Sequence, residues 1–560
     1  MHRMPRLGWI AVSLLLLSRC AFAQPAPSPD LDKALAGIRP EAIRGHMRFL
    51  ADDLLEGRGA GTRGYDIAAE YVASQFEAAG LEPAGVNGTY FQPVPLRKSL
   101  AVEPECSLTL ELPGKKTTTL KFGEHYVVRA ESLVPDRSEV TAPVVFVGFG
   151  VTAPELGYDD YAGVDVKGKI VAMLSGAPEA FPHNQRAYYS SQRIKGENAV
   201  ARGAIGIVGF STPQDEARFP WWKMVQNVKL GGMRWVNDKG VPDEAFAQLR
   251  GVATLSKSGA EALFADSPKA LEQVFAGAKE GRPQSFELPV RVTLKSVAQH
   301  TRVDSPNVAA VLRGADPKLR DEFVLYTAHL DHLGIGEPVK GDKINNGALD
   351  NASGIAAMIE AAKALSSLPR RPRRSLLFVA VTAEEKGLRG ADYFAQHPTV
   401  PLKKIVADVN LDMFVMIYPV RDVVAYGAEH SSLGRVVEEA AKQVGFEVSP
   451  DPAPEETVFI RSDQFPFVRR GVPALFVTAG MKSGDPKIDG AKSHVEWRRN
   501  NYHAPQDDMS QPIDFDSGAR FARLNVLIGW QIAEEEQAPR WNTGDFFGEK
   551  FGKDRMAPAR

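Results

Sequence analysis

Apolar and polar positions change texture along this chain. Over residues 40–80 they recur at helical spacing: Ile67, Tyr71, Val72, Gln75 and Phe76 share one face of a helix expected over Tyr65–Ala79 and closed by Gly80. The stretch EGRGAGTRG (56–64) just before it reads as a glycine-rich turn. From about 104 to 295 short alternating runs dominate, such as SLTLEL, VVFVGFG, GKIVAML and AIGIVGF. Gly, Pro and Asp turns separate them, which predicts a β-rich unit with few helices. From about 305 the runs become continuously apolar: NVAAVL, EFVLYTA, SLLFVAVT, IVADVNL and PALFVTA. Strands buried on both faces read this way. Amphipathic segments lie between them, such as Ser353–Leu368 with Ile355, Ile359, Ala362 and Leu365 on one side. The pattern predicts an α/β protein: a mixed, largely parallel sheet flanked by helices, with an inserted β-rich domain.

Segment boundaries follow from these shifts. Residues 1–23 form a signal peptide, 24–103 the first part of the main domain, 104–295 the insert, 296–545 the main domain proper and 546–560 a tail. The signal is read from Arg3 and Arg6 before the apolar run Trp9–Leu17, with Ala21-Phe22-Ala23 as a cleavage site. That run is too short to span a bilayer, so the expectation is an exported protein, periplasmic or secreted, with no membrane attachment after cleavage.

Composition narrows the function classes. A chain of 560 residues, 44% apolar and 24% charged, suits a soluble protein of more than one domain. Lys plus Arg (67) nearly cancels Asp plus Glu (69), so nothing points to nucleic acid. Cys20 leaves with the signal and Cys106 stands alone, which excludes an intrachain disulfide and a thiolate zinc site. Any metal must be held by His and carboxylates.

Candidate chemistry gathers after the buried strands. His329 and Asp331 follow EFVLYTA, Glu384 and Glu385 follow SLLFVAVT, and Asp412 follows IVADVNL. Asp350 opens the helix in LDNASG, and Tyr502-His503 lie far downstream. In an open α/β sheet, ligands bind beyond the carboxyl ends of the strands, so these residues should share one rim. Taken singly, His-x-Asp reads as a polar loop, Glu-Glu as a solvated surface and LDNASG as a helix cap. Together they crowd carboxylates that would repel one another unless divalent cations lie between them. Two imidazoles with several carboxylates suit zinc or a related transition metal. A carboxylate near a metal-bound His can accept the ring's other N–H. Of adjacent Glu384 and Glu385, one can bind metal while the other serves as general base.

The motifs AHLDH, GALDNASG, VTAEEKGLRG, NLDM and NYHAPQDD, in this order, resemble those of metallopeptidase family 28, the cocatalytic zinc aminopeptidases. LADDLLEGRGAGTRG is similar to that family's N-terminal segment, and the insert, through GYDDYAGVDVKGKIVAML and ENAVARGAIGIVGF, to a protease-associated domain. The resemblance implies two zinc ions per chain, although another divalent transition metal would fit, and peptide substrates. It implies that Asp350 bridges the ions, with His329 and Asp412 completing one site and Glu385 and His503 the other. Glu384 would be the general base acting on a water activated by both metals, Asp331 the partner of His329, and Tyr502 a donor to the scissile carbonyl. A cis peptide is implied between Asp350 and Asn351. The expected function is an exported zinc aminopeptidase. The alternatives are a carboxypeptidase or glutaminyl cyclase on the same fold, a non-catalytic receptor or binding protein, and last a two-metal phosphatase.

Further residues carry weaker expectations. Gln464 in RSDQFPF departs from the family, where many members have His, which affects a supporting or substrate contact. Arg461, Arg498 and Arg499 are candidates for a substrate carboxylate. His332, His430 and His494 are read as surface or supporting groups rather than ligands, with His494 in a long loop (480–500) able to cover the site. Glu155, Asp159 and Asp160 read as a turn rather than a calcium site. Trp221, Trp222 and Trp235 are expected in a small satellite core rather than in a lid over the site.

Overall fold

A computed structural model describes residues 29–557 of the chain. The signal peptide expected over 1–23 lies outside them. Among the described residues, no helix is long and apolar enough to cross a membrane.

The main sheet is organised around strands that the continuous apolar runs predict. We number β1 Phe91–Ala101, β2 Phe286–Leu312, β3 Phe323–His329, β4 Ser375–Val381, β5 Ile405–Leu411, β6 Asp422–Tyr426 and β7 Ala474–Ala479. Strands β4, β3, β5 and β7 lie side by side and parallel. They are flanked by antiparallel β2 on one edge and β6 on the other. Every residue of β3, β4 and β5 is buried, because helices cover both faces.

Helices α1 (Pro40–Leu50), α2 (Arg63–Ala78), α3 (Ser353–Ser366), α4 (Arg389–Gln396), α5 (Gly490–Asn500) and α6 (Phe515–Glu534) pack around it. The larger core joins α1, α2, α3 and α6 to Val324, Tyr326 and Ala328, one face of β3. The intervening residues Phe323 and Leu325 face a smaller core with Ala391 and Phe394 of α4. The period of two along β3 thus serves both sides of the sheet. Helix α2 starts two residues earlier than its apolar stripe suggests, after Thr62, whose side chain accepts the Tyr65 N–H.

The sheets of the main domain and the insert share one strand. Residues 298–308 of β2 pair with β1, whereas 286–297 pair with Arg137–Phe146 in the insert. The insert carries more helix than its alternating runs suggest: six helices lie between His183 and Lys279 among the described residues. The reason is topological. Strands Ile170–Leu174, Gly206–Phe210 and Val252–Leu255 run parallel, and parallel neighbours need crossover connections.

Insert and main domain meet through specific contacts. Trp235 belongs to a satellite core with Ala60, Val94, Leu96 and Ala383, and its Nε1 donates to Asp392 of α4 at 2.9 Å. Glu244 meets Arg389 at 3.2 Å. Trp222 is exposed and Trp221 donates to the Gly123 carbonyl, so neither joins that core. The acidic turn serves the backbone: Asp160 accepts from the N–H groups of Phe149 and Val151 and from the Tyr158 hydroxyl.

Candidate metal centre

The carboxyl ends of β3, β4 and β5 converge as the strand order requires. His329 is the last residue of β3, Glu384 and Glu385 follow β4, and Asp412 follows β5. Asp350 sits just before α3, joined to Asn351 by a cis peptide, and Tyr502-His503 follow α5. Three non-glycine residues here hold left-handed backbone, Ala383, Met413 and His503. Such conformations persist only where their surroundings over-determine them.

The geometry is a pair of clusters sharing Asp350. His329 Nε2 lies 3.2 Å from Asp350 Oδ1 and 3.1 Å from Asp412 Oδ1. His503 Nε2 lies 3.3 Å from Asp350 Oδ2 and 3.2 Å from Glu385 Oε2. Asp350 Oδ2 and Glu385 Oε1 are buried without a hydrogen-bond partner. Buried acceptors are seldom left so, and a cation between them would satisfy both. The donor set of imidazole and carboxylate fits zinc.

The field of the pocket favours positive charge. Burial disfavours a charged His329, but Asp412 and Asp350 outweigh it and hold the ring's pKa well above the ordinary value. For His503 burial again opposes charge, yet Glu385 and Asp350 raise it to about 10. Glu384 is driven the other way: burial, with Glu385 and Asp463 nearby, raises its proton affinity well above that of a free carboxylate.

Asp331 supports the centre differently from the expectation. The His329 Nδ1–H meets the Asp331 backbone carbonyl, 3.0 Å away, not its carboxylate. A carbonyl only accepts, so Nδ1 carries the proton and Nε2 is free to ligate. The Asp331 carboxylate instead accepts the backbone N–H groups of Glu384 (3.0 Å) and Glu385 (3.4 Å), and burial pushes its pKa up to about 6.

Two supports escape sequence reading. Arg58, fully buried in the glycine-rich turn, donates to the carbonyls of Leu330, Asn346 and Gly347, so one guanidinium holds both loops that lead to the ligands. On the other side, Ser462 donates to Asp412 at 2.6 Å, and Asn410 donates to Ser462 and to Gln464. Gln464 is fully buried and donates to the Phe459 carbonyl, so it stands in the hydrogen-bonded chain that supports Asp412.

None of the three secondary histidines is a surface group. His332 is completely buried against the centre, its Nδ1 only 2.7 Å from Glu385 Oε1. His430 pairs with Asp545 at 2.6 Å, away from the site. His494 is buried on α5, which occupies 490–500, so the expected long loop stops before it. Arg498 lies over the Tyr502 ring and pairs with Glu456 at 3.2 Å, Arg461 donates to the Glu456 carbonyl, and Arg499 is exposed.

Comparison with known proteins agrees with this geometry. Residues 307–528 match the model of peptidase family M28. A probable zinc metalloprotease of Leptosphaeria maculans is 26% identical over 294 residues, 48% of this chain and 66% of the relative. Aminopeptidase YwaD of Bacillus subtilis is 26% identical over 402 residues, 70% of this chain and 69% of the relative. The chain spans between half and two thirds of the length of curated zinc metalloproteases it matches. An aminopeptidase from Aneurinibacillus sp. strain AM-1 shares the fold, with a TM-score of 0.53 at 20% identity over 91% of this chain and 97% of that one. Residues 307–528, which carry all five ordered motifs, are therefore a peptidase family M28 domain.

Proposed function

We propose that this chain is an exported zinc-dependent exopeptidase that removes N-terminal residues from peptides, with two zinc ions per chain. One observation carries the reading: the two carboxylate oxygens of Asp350 face His329 and His503 separately, at 3.2 and 3.3 Å. His329, Asp350 and Asp412 would hold one ion, and Asp350, Glu385 and His503 the other. Zinc bound there supplies a Lewis acid and a nucleophile active at neutral pH.

The chain's own groups do the rest. Glu384 takes the proton of the attacking water at its carboxylate and delivers it to the leaving amine. Its raised proton affinity, set by burial beside Glu385, suits a group that must hold a proton between those steps. Tyr502 keeps its proton, because burial among Asp350, Glu385 and Glu384 drives its pKa well above the usual value. Its hydroxyl therefore serves as donor to the scissile carbonyl oxygen. Asp331 orients His329 through its carbonyl and the Glu384-Glu385 backbone through its carboxylate. The substrate's α-amine is drawn to the pocket's carboxylates. Arg498, neutralised by Glu456, gives little support to a carboxypeptidase.

The relatives named zinc metalloprotease and aminopeptidase favour the same reading. The test is bound metal per chain, measured with cleavage of amino-acid anilides and their N-acetylated counterparts on the same sample. Two zinc ions with cleavage only of the free-amine substrates is the expected result. A protein that neither binds zinc nor cleaves when zinc is supplied would overturn it.

A further inference from the structure

His332 lies at the floor of the second cluster, where no role is assigned to it. Its side chain is completely buried, and neither ring nitrogen has a hydrogen-bond partner. Nδ1 stands 2.7 Å from Glu385 Oε1 and 3.9 Å from Asp350 Oδ2. The closer approach lacks the geometry of a hydrogen bond, since Nδ1 and Oε1 both remain unpartnered. Three buried polar atoms, one from each residue and none with a hydrogen-bond partner, therefore face one another. Ligand atoms of His332, Asp350 and Glu385 lie within 4.8 Å of one another, as a shared cation requires.

The ring is held in this position. The His332 N–H donates to the Arg58 carbonyl, tying the residue to the same turn that supports His329. Gly347 lies flat against the imidazole: a Cβ there would come within 2.7 Å of the ring, and its φ of +60° also suits glycine. Glycine at 347 thus leaves the space that the imidazole fills. His503, by contrast, reaches the cluster from the rim, with 38% of its side chain exposed.

We propose that His332 is a metal ligand through Nδ1, adding a buried imidazole to Asp350, Glu385 and His503 at the second position. The proposal rests on the metallopeptidase reading above. It makes the two positions unequal. The first has His329, Asp350 and Asp412, whereas the second is closed by four protein groups, the arrangement of a retained ion rather than one that keeps an open place for reactants. Substrate would then engage mainly the ion beside His329 and Glu384.

The test uses the full chain loaded with cadmium-113 and a proton–cadmium correlation spectrum, which detects imidazoles bonded to the metal. Three coupled histidines are expected. One of them, ligated through Nδ1, should couple through Hε1 alone, and His332→Asn should remove that signal while leaving the other two. Two coupled histidines in the unmodified protein, with two ions bound, would overturn the His332 assignment and leave the peptidase reading intact. No bound cadmium and no coupling would overturn both. The spectrum of the unmodified chain decides the matter even if the variant fails to fold.

Discussion

Asp331 touches His329 and Glu384 with different atoms: its carbonyl meets the His329 Nδ1–H at 3.0 Å, and its carboxylate accepts the Glu384 N–H at 3.0 Å. One residue thereby fixes the tautomer of a candidate ligand and the backbone of the candidate base. Replacing the side chain separates these tasks, because the carbonyl stays. Asp331→Asn should keep the ion held by His329 and Asp412 while lowering kcat by about 10–100-fold, as losses of such supporting partners do. Metal content and kcat measured together check it. An unchanged kcat would remove the carboxylate from the mechanism.

Glu384→Gln removes the proposed proton acceptor without changing shape. It should retain both ions and lose about 10²–10⁴-fold in kcat. Near-normal turnover would mean that another group carries the proton.

Ser462 shares its hydroxyl with Asp412 at 2.6 Å and is itself held by Asn410. Ser462→Ala should weaken one of the two metal equivalents by ~10–100-fold in chelator competition and leave the other unchanged. Equal loss of both equivalents would contradict the separation of the two positions.

Arg58 is a matter of stability before catalysis. Arg58→Met leaves the Leu330 and Gly347 carbonyls buried without their donor, which should cost ~3 kcal/mol or more. Urea unfolding of the metal-free protein measures it. A variant as stable as the parent would show that those loops hold themselves.

Lys195 predicts a pH dependence far from the centre. Its ammonium is fully buried in the insert, donating to the Leu174 carbonyl, and burial lowers its pKa to about 7 despite Asp160 nearby. The unfolded chain keeps this proton to about pH 10.5, so between 7 and 10.5 it binds more protons than the folded one. Stability from Lys195 should therefore rise with pH across that window, by up to ~1.4 kcal/mol per pH unit. Lys195→Met should flatten the rise, as followed by denaturant midpoints. A slope identical to the parent's would assign the titration elsewhere.

Strand-end chemistry was legible because β3, β4 and β5 are buried on both faces: a continuous apolar run that stops at His329, before Glu384 or before Asp412 marks where the chain leaves the sheet. Direction inside loops was not legible. His332 turns inward because Arg58 binds the loop's backbone and Gly347 leaves room for the ring, both tertiary effects. Arg58 itself lies in a turn whose glycines advertise only flexibility. The helices of the insert were hidden for a related reason, since short alternating strands look alike whether their neighbours run parallel or antiparallel.

The shared strand β2 joins the insert to the reaction chemistry more directly than a flexible tether would. Ser305 on this strand is 2.6 Å from the Thr382 hydroxyl, and Asn307 accepts the Thr382 N–H and donates to the Gly390 carbonyl. Thr382 stands two residues before Glu384. One continuous strand therefore pairs with the insert's sheet over 286–297 and, from Ser305 and Asn307, hydrogen-bonds the segment that leads to Glu384, with no linker between the two.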